Sequence, residues 1–144
     1  MKIVPDSSVM VKWVSQENEL NLEQADKLLG DVQAGKVELI APELARYEVG
    51  NALLKKGIGE VQAFQSLGTA HNLPVQFVPD NEKLADETYK MAYELRQGEN
   101  PKFTYYDASF AALAKQEDAV LVTANPKHQT KIKGVKVVSL EKYK

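Results

Sequence analysis

At 144 residues, 44% of them apolar and 26% charged, the chain fits one soluble globular domain over residues 1–144 with a respectable core. Cysteine is absent, which excludes disulfides and thiolate metal sites and makes a cytoplasmic home the expectation; no apolar run has the length of a membrane span, and the N-terminus lacks a signal-peptide pattern. The formal net charge is -2, so any nucleic-acid binding must rest on a local basic patch.

Lys2-Ile-Val-Pro5 reads as a short apolar strand ended by Pro5, and a helical turn begins in Val9–Trp13. Asp6 between them lies at the carboxyl end of the strand, where open α/β sheets place their ligands. It also fits a plain N-cap, a duty that Ser7 or Ser8 would serve equally well. Residues 19–34 carry Leu20, Leu22, Ala25, Leu28, Leu29 and Val32, an amphipathic helix stopped near Gly35. Val37–Ala41 is the second strand.

Pro42 then suits the first turn of a helix running to Lys56, with Glu43 at its positive end. Leu44, Ala45, Ala52 and Leu53 share one face of that helix, and Glu48 falls on the same face. Capping does not explain a carboxylate in mid-helix. A buried salt bridge is one reading; a wet or metal-lined cleft is the one favoured.

Glu60–Asn72 reads as a helix of weak amphipathicity, and Val75–Val78 as a third strand. Asp80 or Asn81 caps a helix reaching about Arg96, with Leu84, Ala85, Thr88, Met91, Ala92 and Leu95 inward. A loop over 97–101 leads to Thr104–Lys115, Ala-rich and free of Gly and Pro. Asp107, Phe110, Ala111 and Ala114 share a face of that helix. A carboxylate on the inward stripe needs a reason: either a capping box with Thr104, or a metal ligand at the mouth of a cleft. Ala119–Val122 is the most strand-like segment, with Thr123-Ala-Asn125 leaving its carboxyl end, and Val135–Val138 is a fifth strand. The alternation predicts an α/β fold, a parallel sheet with helices on both faces.

These residues resemble the PIN-domain ribonucleases, and most closely the VapC-type toxins of toxin–antitoxin pairs. The likeness spans nearly the whole chain and rests on four places in order. Asp6-Ser-Ser-Val9 with Lys12-Trp13 is similar to the family's opening motif, and Pro42–Ala52 to its central helix, with Glu48 at the acidic position. Tyr106-Asp-Ala108 fits the third motif and Leu121–Asn125 the fourth, where the family commonly has aspartate and this chain has Asn125. The resemblance implies a single PIN-like domain with a five-stranded parallel sheet and metal-dependent cleavage of single-stranded RNA. It further implies a small antitoxin protein as partner and a homodimer.

On this reading Asp6, Glu48, Asp107 and Asn125 form the catalytic set, the three acids holding Mg2+ or Mn2+. Such hard cations take carboxylate oxygens; they lower the pKa of bound water and stabilise charge on phosphoryl oxygens. Asn125 offers an amide oxygen without charge, so one metal is well held and a second binds only at high concentration. Glu117 and Asp118 cannot substitute, since they lie at the far end of the strand, roughly 15 Å away. Ser8 and Thr123 are either hydroxyls supporting the site or ordinary turn residues. Lys12, Arg46, Lys55, Lys56, Arg96, Lys102 and Lys127 are candidates to contact phosphates, against the default of solvated surface cations. Tyr105 and Tyr106 are candidates to stack a base, although burial is expected for at least one. His71 and His128 read as surface residues.

Two other classes compete. An aspartyl phosphotransferase with Asp6 as nucleophile usually has a second aspartate two residues on, where this chain has Ser8. A PIN-like binding or interaction module, with nuclease activity weakened or lost, is suggested by Asn125.

Overall fold

Five short strands, β1 (Lys2–Pro5), β2 (Glu38–Pro42), β3 (Val75–Val78), β4 (Val120–Thr123) and β5 (Lys136–Ser139), pair side by side. They form one all-parallel sheet in the order β3-β2-β1-β4-β5. The structure, a computed structural model, describes residues 1–125 and 132–144. Lys127 and His128 therefore lie outside the described residues. The helices are α1 (Ser7–Val14), α2 (Leu22–Gln33), α3 (Leu44–Lys55), α4 (Glu60–His71), α5 (Glu82–Gln97) and α6 (Tyr105–Gln116), and a 3-10 turn follows β5 at Leu140–Lys142. Among the described residues no helix is long and apolar enough to cross a membrane.

The pleat sends alternate residues of the central strands to opposite faces. Val4 and its register partner Leu121 pack into one core with Ala45, Val49, Met91 and the small side chains of α6. Ile3, Leu39 and Val122 pack on the other face with Ala25 and Leu28 of α2 and with Leu140. Helix α6 is buried from Ala108 to Ala114, because it is covered by α5 as well as by the strands. Its alanines let its backbone come close to the sheet.

Two boundaries differ from the sequence expectation. Pro42 is the last residue of β2, paired with Val78, and does not open a helix. Proline has no N–H to give to a ladder, but at the strand end the next residue supplies the bond, Glu43 N–H to the Val78 carbonyl at 3.0 Å. Helix α2 begins at Leu22 rather than near residue 19. Asn18 and Asn21 both take a left-handed backbone (φ 58), which a helix cannot include and which asparagine tolerates better than most residues.

Candidate active site

Strand order reverses between β1 and β4, since β2 and β3 extend the sheet one way and β5 the other. In open α/β sheets the crevice beyond the carboxyl ends of the strands at such a switch point is where ligands bind. Asp6 and Asn125 leave those two strand ends, and the Asp6 N–H donates to the Val122 carbonyl at 3.0 Å. Asp6 is 6% exposed and is also the N-cap of α1, accepting from the Val9 N–H at 3.3 Å. The cap and the cleft residue are the same side chain.

The Ser8 hydroxyl donates to this carboxylate at Asp6 Oδ1. The same hydroxyl accepts from the Ala124 N–H at 3.0 Å, so Ser8 ties the first turn of α1 to the chain leaving β4. Buried Thr123 accepts from the Asn125 N–H at 3.1 Å and sets the direction of that exit. Both hydroxyls thus support the site's backbone.

Glu48 projects from the middle of α3 and accepts from the Ser7 hydroxyl at 3.0 Å. Asp107 completes a capping box with Thr104: the Asp107 N–H donates to Thr104 Oγ1 at 3.0 Å, and the Thr104 N–H to Asp107 Oδ2 at 3.4 Å. Here too the capping residue faces the cleft.

Asp6, Glu48, Asp107 and Asn125 line one cleft of about 260 Å³, together with Ser7, Asn51 and Lys55, over an apolar floor that includes Phe103, Phe110 and Leu121. The four polar groups come from four separate elements, and their oxygens are of the hard kind that Mg2+ or Mn2+ takes. Among the described residues, no group of three or more Asp, Glu or His stands close enough to share one ion. Binding a metal there would require the side chains to draw inward. At the opposite end of the sheet, Glu117 pairs with Lys2, the first residue of β1, at 3.2 Å, as its distance from Asp6 along the strand requires.

The basic candidates divide sharply. Lys12 and Lys56 clasp the two oxygens of Glu19, at 2.9 and 2.8 Å, in nearly buried surroundings. Lys12 also donates to the Leu20 carbonyl at 2.7 Å, and Lys56 to the Glu17 carbonyl at 2.8 Å. These two lysines hold the 15–21 loop on α1 and α3 and are not surface cations. Arg46 lies over the Phe77 ring, 3.8 Å from its centroid, and Arg96 donates to the Phe103 carbonyl at 3.1 Å. Lys102 is exposed.

Tyr105 and Tyr106 are 42% and 57% exposed, against the expectation that one would be buried. Position in the first turn of α6, ahead of its covered part, explains this. They line a second groove with Tyr47. His71 is an exposed residue at the end of α4. Asn51 and Phe103 went unnoticed in the sequence as cleft residues; the spacing of Asn51, three after Glu48, was the available signal.

A family model described as PIN domain matches residues 3–134. Among solved structures, VapBC2 of Rickettsia felis, crystallised with a fragment of promoter DNA, superposes with a TM-score of 0.71 at 17% identity, covering 96% of this chain and 98% of that one. PAE2754 of Pyrobaculum aerophilum gives 0.64 at 25% identity over 98% and 90%. VapC20 of Mycobacterium tuberculosis, a toxin that cleaves the sarcin–ricin loop, gives 0.63 at 13% identity over 85% and 87%. No curated protein matches the sequence. With a family model matched along nearly its whole length, the chain belongs to the PIN-domain family.

Proposed function

We propose that the chain is a Mg2+- or Mn2+-dependent endoribonuclease that cleaves single-stranded RNA and serves as the toxin of a type II toxin–antitoxin pair. The observation that carries this reading is the meeting of Asp6, Glu48, Asp107 and Asn125 in one cleft at the topological switch point of a PIN fold. A hard cation bound there would activate water and stabilise the charge that develops on the phosphoryl oxygens. Asp6, Glu48 and Asp107 would hold the metal, and Asn125 would contribute a neutral oxygen. As the carboxyl side chains that line the cleft drew inward, the ion would relieve their mutual repulsion.

Structural likeness to toxins solved with their antitoxins supports a small antitoxin as partner. Exposed Leu54, Val61 and Phe64 supply apolar surface for association, with an antitoxin or in a homodimer. Incubation of the protein with unstructured RNA in Mn2+ or Mg2+ tests the assignment. Metal-dependent internal cleavage, lost in Asp6→Asn, is the expected result. Asn125 favours a second reading, a module that binds RNA without cutting it, for which the same assay shows binding and intact RNA.

A further inference from the structure

The cleft continues along α3 beyond Glu48. Asn51 and Lys55 follow at three and seven residues, close to one face of the helix, and both line the cavity. Two turns of helix place Lys55 about 10 Å along the axis from Glu48, at the end of the cleft away from that acid. Among the described residues that line the cleft, Lys55 is the one cation.

Its state differs from that of Lys12, Lys56, Arg46 and Arg96. Lys12 and Lys56 are spent on Glu19, Arg46 on the Phe77 ring and Arg96 on the Phe103 carbonyl. Lys55 is exposed, and its ammonium forms no hydrogen bond or ion pair with another described residue. An ammonium that shares the cleft with three carboxylates and has no partner among the described residues is available to a ligand carrying its own negative charge. The acids repel that ligand in the absence of metal, so a cation in the same cleft matters to its hold.

We infer that Lys55 is a substrate-positioning residue, which binds a backbone phosphate of the RNA strand next to the one that is cut, with Asn51 facing the sugar between them. The inference rests on the nuclease reading of the same cleft and adds the path of the strand: along α3, from Glu48 towards Lys55. A lysine in the last turn also complements the helix dipole, so the test needs a readout that a structural role would not move.

Steady-state cleavage of an unstructured oligoribonucleotide is measured in Mn2+ between about 50 and 200 mM KCl for wild type, Lys55→Gln, Lys55→Arg and Lys83→Gln, the last removing one exposed charge outside the cleft. Lys55→Gln should raise KM about tenfold, the size of one charge-assisted hydrogen bond, with kcat within about twofold. The dependence of log kcat/KM on log salt should become shallower by about 0.7, one phosphate contact on a single strand. Lys55→Arg should stay near wild type, and so should Lys83→Gln. An unchanged KM and salt slope in Lys55→Gln, or a fall in kcat alone, overturns the assignment. A wild-type protein that cuts nothing overturns the nuclease reading instead. Fluorescence polarisation of the same RNA in Ca2+ then still decides the role of Lys55, by whether Lys55→Gln weakens binding and flattens its salt dependence.

Discussion

The Ser7 hydroxyl donates to Glu48 Oε1 at 3.0 Å and so joins the first turn of α1 to the middle of α3 across the candidate active site. Ser7→Ala should therefore cost about 1 kcal/mol of stability without metal, the worth of an ordinary hydrogen bond. With saturating Mn2+ the loss should shrink, because metal coordination would take over the same carboxylate. Melting temperatures of both proteins with and without Mn2+ check this; an equal loss in both conditions would detach Glu48 from the metal site.

Asn125→Asp restores a carboxylate at the mouth of β4. The change is nearly isosteric, adds a fourth negative charge to the cleft, and should lower the metal-free melting temperature. Mn2+ affinity should rise about tenfold, equivalent to about 1.4 kcal/mol, and the metal-induced rise in melting temperature should grow with it by linkage. Calorimetric titration and RNA cleavage at limiting metal are the measurements. Unchanged affinity would remove Asn125 from the metal's surroundings.

Asp6→Asn and Asp107→Asn should each cut RNA cleavage about a hundredfold or more, beyond the loss typical of residues that merely orient metal ligands. Their stabilities should separate. Asparagine caps as well as aspartate, so Asp6→Asn keeps its cap, loses a repelling charge and gains about 0.5 kcal/mol without metal. Asp107→Asn gives up the charge that favours a helix start, about 0.3–1 kcal/mol, and should end near neutral. Urea denaturation in EDTA resolves the two.

Glu19 bridges Lys12 and Lys56, with all three side chains nearly out of water. Glu19→Gln leaves two ammonium groups without their counter-charge and should destabilise by about 3 kcal/mol. The 15–21 loop should then be cut sooner in limited proteolysis. A loss below about 0.5 kcal/mol would place this bridge with ordinary surface pairs.

Tyr143 donates to Asp31 Oδ2 at 2.8 Å, and Lys27 donates to Asp31 Oδ1 at 2.6 Å, which ties the C-terminal residues to α2. Burial, and then the Asp31 hydrogen bond, push the phenol of Tyr143 up to about 12. Hydrogen bonds from Lys27 and then Tyr143 hold the Asp31 carboxyl below the usual carboxylate range. A raised tyrosine stabilises fully below its unfolded pKa of about 10 and loses that contribution as pH rises through about 12. A lowered aspartate stabilises above its unfolded pKa of about 4 and loses that contribution on acidification. Tyr143→Phe should therefore flatten the alkaline fall in stability between about pH 10 and 12, and part of the acid fall. Urea midpoints across both ranges decide; identical profiles for the two proteins would show that this contact does not set the pH dependence.

The parallel sheet was legible because Lys2–Pro5, Val75–Val78 and Ala119–Val122 are short apolar runs separated by helical stretches. The acids were legible because Glu48 and Asp107 break apolar stripes. What escaped depended on partners distant in sequence. Lys56 reaches Glu19 across 37 positions, and no local pattern separates a clasped lysine from a solvated one. Pro42 obeyed the pairing of β2 with Val78 over its own preference for a helix start. Asn51 and Phe103 enter the cleft only once α3 and α6 are set beside β1. Lys55 had the right charge, but its lack of a partner among the described residues is known only once the chain is folded.

Asp6 and Asp107 each organise the start of a helix while facing the cleft. A lineage that abandoned catalysis would still feel selection to keep them, because drifting to alanine at either position frays a helix packed on the central sheet. A screen scored only on expression would flag both residues in a chain that had never cut RNA. Their persistence in such a lineage would be testimony about architecture before it was testimony about chemistry. The two inheritances come apart at Asp6→Asn, where the cap survives and the charge does not.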